Sequence, residues 1–231
     1  MFKTLYITIP LFLTLFPVIT GCWGKAEENK EAWKNITGSK LKLPKPRDKG
    51  DFSLEEVIRQ RRSVRSFSSR PLSIEEISQL LWAAQGITDS LRGFRSAPSA
   101  GALYPLEVYI VISEGVYNYR PQGHELAQIK SGDFRKELCR AGLDQAPILN
   151  APAVFVITGV YERSSIKYSE RAERYVKIEA GHAAQNILLQ AVALGLGAVP
   201  IGAFYDEQVK AAIGCPRNHQ PLYLIPVGHS R

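Results

Sequence analysis

Apolar positions recur along this chain with two different periods, and each change of period marks an element. "SLEEVIRQ" opens with Ser53 and, three residues on, Glu56, a capping-box pair; Leu54, Val57 and Ile58 then follow at helical spacing. Carried one turn further, that stripe reaches Arg61 and Arg62. A second box, Ser73 with Glu76, opens a helix with Ile74, Ile77, Leu80, Leu81 and Ala84 on one face and Gly86 as its stop. "LEVYIVIS" (106–113) and "APAVFVITGV" (151–160) are β-branched, aromatic-rich runs bounded by proline, and predict buried strands. "VYNYRP" predicts a short hairpin return, "DFRKELCRA" a short helix and "QPLYLIPVG" a final strand. The longest helix is predicted from Arg171 to Leu194. Over 183–194 it is apolar nearly all round, with Gln185, Asn186 and Gln190 its polar residues. A helix of that kind is buried on all sides, either in the centre of a two-layer fold or against a second subunit. Strands and helices alternate irregularly, with connections too short for repeated crossover units, so the fold class is α+β.

Composition narrows the picture. The chain has 231 residues with 45% apolar and 10% aromatic content, enough for a sizeable packed core. Its net charge of +7 is spread among acidic residues, without zinc-finger spacing, an RNP-like aromatic motif or a basic tail, so no nucleic-acid partner is expected. "GLGAVPIG" follows a helix and precedes a strand, the reverse of a dinucleotide-binding turn. His124, His182, His219 and His229 form no ligand pattern, and no metal is expected. Cys139 and Cys215 read either as buried thiols or as one bridge.

The first residues form a targeting segment over 1–21: Lys3, the apolar run "LYITIPLFLTLFPVIT", then small residues before Cys22. "ITGC" resembles the lipobox of bacterial lipoproteins, which makes Cys22 the lipidated first mature residue and places the protein at the cell envelope, exported and anchored to the membrane. A transmembrane anchor and an ordinary secretory signal are the other readings; Pro10 and Pro17 break the short apolar run. Residues 22–50 are charged, Lys-rich and end in Pro and Gly, the composition of a tether, so the globular domain is expected over 51–231.

Two patches carry candidate chemistry. "RQRRSVRSF" sets Arg59, Arg61, Arg62 and Arg65 within nine residues, which is either a solvated basic helix end or an anion site. "SAPSAGALYPLEVYIV" runs almost entirely through small side chains from Ser96 to Ala102 into a strand, so a flat group can approach the backbone there; a plain tight turn is the alternative. Glu179, His182 and Asn186 form a polar stripe on the long helix and read as an internal hydrogen-bond network.

"RRSVRSF", "PSAGALYP", "EAGHAAQNILLQAVALGLGAVPIGAF" and "IPVGH", in that order, resemble the nitroreductase family of FMN-dependent oxidoreductases from about Asp51 to His229. "GALYPLEVY" and "KYSERAERYVKIEAGH" are most similar to its SagB-type branch, which includes the azoline oxidases. The resemblance implies a mixed sheet flanked by helices, an obligate homodimer and bound FMN. It implies that Arg61, Arg62, Ser63 and Arg65 hold the flavin phosphate and ribityl chain, that Pro98, Ser99, Ala100 and Gly101 lie against the isoalloxazine edge, and that Gly202 and Ala203 approach the ring from the other side. Lys167 and Tyr168 match a Lys-Tyr pair that serves as acid and base in the azoline oxidases; in a charged run they also read as a solvated helix entry. The pattern departs at Ala102 and Tyr104, where many relatives carry Asn and Gln, and at Gly202, where many carry an acid. Arg231 stands where relatives supply further basic phosphate ligands. Two function classes follow: an oxidoreductase moving two electrons between a donor and a small organic acceptor (a nitro compound, a quinone or a dehydrogenated substrate), or a non-catalytic envelope lipoprotein that carries or senses a flavin or similar ligand.

Overall fold

The computed structural model describes residues 40–231. The expected signal peptide, Cys22 and the part of the expected tether up to residue 39 lie outside them. Among the described residues no helix is long and apolar enough to cross a membrane.

Seven strands form one sheet, in the order β1 (Lys40–Lys42), β6 (Glu125–Ser131), β5 (Gly115–Arg120), β4 (Leu106–Ile112), β7 (Ala153–Gly159), β9 (Gln220–Gly228) and β8 (Gly197–Ala198). These strands pair antiparallel throughout, and a parallel bridge between Ser63 and Ala198 extends the β8 edge. A small hairpin, β2 (Ile87–Asp89) and β3 (Phe94–Arg95), stands apart from the sheet.

The central strands read as continuous apolar runs because helices cover both faces. Leu106, Val108, Ile110 and Ile112 of β4, with Phe155 and Ile157 of β7, join one core together with the helices α2 (Ile74–Gln85) and α6 (Ala172–Ala193). Tyr109, Val111, Val154 and Val156 point the other way, into a second core with α3 (Arg135–Ala141), α4 (Ala146–Asn150) and α7 (Asp206–Ile213). Alternation along a strand therefore sorts its side chains between two cores, with no face left for water.

Both predicted capping boxes are present, at Ser53–Glu56 and Ser73–Glu76, with the serine and glutamate side chains each bonded to the other residue's backbone N–H. Two expectations are corrected. The helix α1 (Leu54–Gln60) stops before the arginines: Arg61 is its extended C-cap, so Arg61 and Arg62 do not continue its apolar face. Of that stripe Val57 is buried, while Leu54 and Ile58 remain 61% and 55% exposed. The folded part also begins upstream of Asp51. Lys40–Lys42 pair with β6, Leu43 is buried in the α2–α6 core, and the Arg47 backbone is bonded both ways to the Gln79 amide, at 2.8 and 3.0 Å. Of the two alternatives for the long helix, enclosure within one chain does not hold for α6. Ala183, Ala184, Ile187, Leu188 and Ala191 are buried, but Ile178 is half exposed and Leu189 and Val192 are only partly covered.

Candidate functional site

The sequence-selected residues gather in two groups. In the first, the chain after α1 runs extended along the β8 edge. Val64 donates its N–H to the Ala198 carbonyl at 3.0 Å and packs over Gly197, where a Cβ would lie 2.6 Å from its methyl carbon. Ser63 and Arg65 thus flank a residue clamped to the sheet, and both are exposed. Arg61 is partly buried, whereas Arg62 turns back on the backbone, donating to the carbonyls of Arg59 and Arg61. The same edge continues to Ile201, which exchanges two backbone hydrogen bonds with Leu224, at 2.8 and 2.9 Å, and so holds the turn bearing Gly202 and Ala203. Both are exposed; a Cβ on Gly202 would meet nothing within 4 Å, and the Ala203 carbonyl accepts from the Gln145 amide at 2.9 Å. The C-terminus returns here too. Ser230 bridges Phe67 and the Arg231 N–H reaches the Ser66 carbonyl at 3.4 Å, so Arg231 sits beside Arg65 in the fold.

The second group lies around the small-residue turn. Ser99 to Ala102 form a single 3-10 turn locked by Ala102 N–H to Ser99 carbonyl (3.0 Å) and Tyr104 N–H to Ser99 Oγ (2.9 Å). Pro98, Gly101 and Ala102 are exposed, with Ser99 and Ala100 half-buried. Lys167 and Tyr168, at the end of the helix α5 (Tyr161–Tyr168), reach this turn from the side. A Cβ on Gly101 would stand 2.8 Å from Tyr168 Oη and 3.1 Å from Lys167 Nζ, so only glycine admits the pair so close. Tyr168 is held edge-to-face on Tyr175, with ring centroids 5.0 Å apart. The backbone is strained on both sides of this contact: Ala102, Tyr104 and Ser169 have φ of 54°, 47° and 46°, a region that L side chains rarely occupy and that persists where surrounding structure enforces it.

The polar stripe of α6 divides. Asn186 donates to the carbonyls of Ala83 and Ser96, tying α2 to the entry of the small-residue turn. Glu179 lies beneath the turn, 3% exposed and hydrogen-bonded by the Ser99 hydroxyl, with its Oε1 lacking a partner among the described residues. Burial raises its pKa to about 7, a rise that the Ser99 hydroxyl and the Arg95 charge oppose. His182 is exposed and does not belong to this network.

Sequence reasoning passed over Glu107, Arg95 and Arg163. Glu107 was the available signal, because a carboxylate inside an apolar strand must find partners. It accepts from Arg163 at 2.5 Å, and Arg163 also donates to the Tyr104 carbonyl at 3.1 Å. Tyr104, at the position where many relatives carry a polar amide, is turned away from the turn's open face: its hydroxyl accepts the Arg95 N–H and its ring lies 4.5 Å from the Arg95 guanidinium. Cys139 and Cys215 are both free thiols, and burial pushes the pKa of each up. Among the described residues no cluster of His, Cys, Asp or Glu is arranged to hold a metal ion.

Residues 58–229 match the Nitroreductase family. The chain belongs to the nitroreductase family. It is 43% identical over 197 residues to the putative nitroreductase MJ1384 of Methanocaldococcus jannaschii, covering 83% of this chain and 98% of that protein. It is 31% identical over 137 residues to the microcin B17-processing protein McbC of Escherichia coli, covering 54% of this chain and 50% of McbC. The crystal structure of a putative nitroreductase from Ralstonia eutropha superposes with a TM-score of 0.76 at 28% identity, over 84% of this chain and 90% of that one. The α+β nitroreductase fold, an antiparallel sheet between helical layers, is thus shared, and the protein is an oxidoreductase of this family.

The two residue groups fit a flavin. The first offers exposed guanidinium groups beside a turn with open space over Gly202, and the second offers a glycine cradle with a phenol and an ammonium at its rim. No hydrogen bond among the described residues joins the two groups. Between Glu179, under the second, and Ala193, leading to the first, α6 rises about 20 Å.

Proposed function

We propose that this nitroreductase-family chain is the subunit of a homodimeric FMN-dependent oxidoreductase that moves two electrons between a donor and a small organic acceptor. One observation carries the reading: the selected residues fall into two exposed half-sites near opposite ends of α6. A twofold axis that sets one copy's Arg61–Arg65 and Gly202–Ala203 against the other copy's Pro98–Gly101 would complete two equivalent sites. Half-exposed Leu54, Ile58 and Ile178 supply apolar surface for such an interface.

In this arrangement Arg61, Ser63 and Arg65 hold the phosphate as charge-assisted donors, and Arg231 adds a further cation beside them. Arg62, engaged with its own backbone, contributes charge alone. Ser99, Ala100 and Gly101 present backbone N–H groups and little bulk to the ring from one copy, and Gly202 and Ala203 leave room for it in the other. Bound FMN would supply reversible two-electron chemistry.

Reduction of a nitro compound or quinone asks little of the chain beyond position and access. Removing hydrogen from a C–N or C–C bond also requires a base, and here the Gly101 contact favours a second, finer reading. Tyr168 Oη, oriented by Tyr175 and close to the Lys167 ammonium, is placed to accept or return a proton at the turn. That is the feature the SagB-type branch would need, and the likeness to McbC supports it. Placement at the cell envelope rests on the sequence around Cys22: Cys22→Ala is expected to leave an unprocessed precursor without lipid, and processing to the wild-type size would refute it.

The deciding experiment is the absorbance spectrum of the purified protein, followed by FMN titration. The protein is expected to be yellow, and Arg65→Ala to bind FMN about 10- to 100-fold more weakly, the scale of a lost hydrogen bond to a charged group. A colourless protein that FMN cannot reconstitute would sink the reading.

A further inference from the structure

Behind the small-residue turn lies a cavity of 230 Å³, lined by Gln85 at the end of α2, Arg95 of β3, Glu107 of β4, Arg120 at the end of β5, Gln122 in the turn that follows and Arg163 of α5, among others. Three guanidinium groups face a single carboxylate, which leaves a local charge of +2. The carboxylate is already committed: Glu107 Oε1 accepts from Arg163 at 2.5 Å, and Oε2 accepts from the Asn118 amide at 3.2 Å with Arg120 at 3.9 Å.

Arg95 is the unusual member. Among the described residues it makes no ion pair; its Nη1 donates to Gln85 Oε1 at 2.9 Å and its guanidinium stacks on Tyr104. Gln85 is 1% exposed, and its Nε2, without a partner among the described residues, is a buried donor at the wall of the cavity. A buried amide donor normally finds an acceptor, and a desolvated guanidinium normally finds an anion.

We propose that this cavity is a binding site for a small oxodianion, a phosphate or dicarboxylate group that completes Arg95, Arg120 and Gln85. The charge sets the ligand class: a dianion neutralises the pocket, and its several oxygens accept from Gln85 Nε2 and the guanidinium groups together. A phosphate or small dicarboxylate group fits within the 230 Å³. The site is distinct from the Arg61–Arg65 cluster and does not rest on the flavin reading. It abuts the candidate active site through Tyr104, which stacks on Arg95 and is bonded to Ser99 Oγ.

The test is thermal unfolding of the full-length protein, saturated with FMN, in rising inorganic phosphate or malonate at constant ionic strength set with sodium chloride. The melting temperature is expected to climb with the logarithm of the dianion concentration. Both dianions acting would identify a general oxodianion site; phosphate or malonate alone would narrow the class. Arg120→Gln, which removes a half-exposed side chain and leaves Glu107 with Arg163, is expected to weaken the response at least about tenfold. Gln85→Glu gives Arg95 an internal carboxylate and is expected to fold normally with the response abolished; should it not fold, Arg120→Gln decides alone. Arg65→Ala is expected to keep the response. No stabilisation beyond that of sodium chloride by either dianion would overturn the proposal. So would a response that survives in Arg120→Gln but vanishes in Arg65→Ala.

Discussion

Glu179 offers the sharpest test of how the small-residue turn is supported, through the change Glu179→Gln. Gln keeps the shape and an oxygen that can accept from the Ser99 hydroxyl, and removes the titration. Burial raises the Glu179 pKa from an ordinary value of 4.5 to about 7, so the fold favours its protonated form. That preference contributes stability fully present below pH 4.5 and lost as pH rises toward 7, after which the loss is constant. At 1.36 kcal/mol per tenfold change in proton affinity, the whole loss is about 3 kcal/mol, most of which falls between pH 5 and pH 8. Urea unfolding of wild type and Glu179→Gln at those two pH values isolates the effect, because every other titrating group is common to both and cancels in the difference. The variant is expected to gain about 2–3 kcal/mol on wild type over this interval. A difference that does not change with pH would show that Glu179 is ionised without penalty. The description of a desolvated carboxyl under Ser99 would then be wrong.

Further perturbations address the proposed chemistry and assembly. Gly101→Ala forces a side chain into a left-handed backbone and against Tyr168 Oη; it is expected to lower stability by about 1–3 kcal/mol in thermal unfolding, and an unchanged melting temperature would refute the close approach. Tyr168→Phe and Lys167→Ala, on flavin-saturated protein, are expected to leave quinone or nitro reduction within about tenfold of wild type but to slow a dehydrogenation by roughly 10² to 10⁴; equal small effects on every substrate would remove the pair from the mechanism. Leu54→Lys with Ile58→Glu, at side chains that contribute little to the core of one chain, is expected to shift sedimentation from dimer to monomer without unfolding the subunit. An unchanged dimer would move the interface elsewhere.

Local chemistry was legible in the sequence. Ser53 and Ser73 with their glutamates specified helix starts because a capping box is satisfied within four residues, whatever surrounds it. The apolar runs 106–113 and 151–160 specified the central strands, and the continuity of those runs foretold burial on both faces. The arginine cluster and the small-residue turn could be named as candidates by composition alone. Length and periodicity did not reveal β6, whose Glu125, Gln128 and Lys130 dilute its pattern, or the contribution of Lys40–Lys42, which are held by pairing with β6 and by Leu43 packing. Neither strand is stable without its neighbour, so no short window contains the cause. The tertiary structure likewise decided which candidate residues meet. Proximity of Gly101 to Tyr168, of Arg231 to Arg65, and of Arg95 to Gln85 and Tyr104 arises from strand order and helix docking between positions far apart in sequence or joined by turns. Only the fold could decide that Glu179 lies dry beneath Ser99 while His182, one turn further along the same helix, faces water. A periodic pattern fixes which residues share a face, but the neighbour that face meets is set by packing.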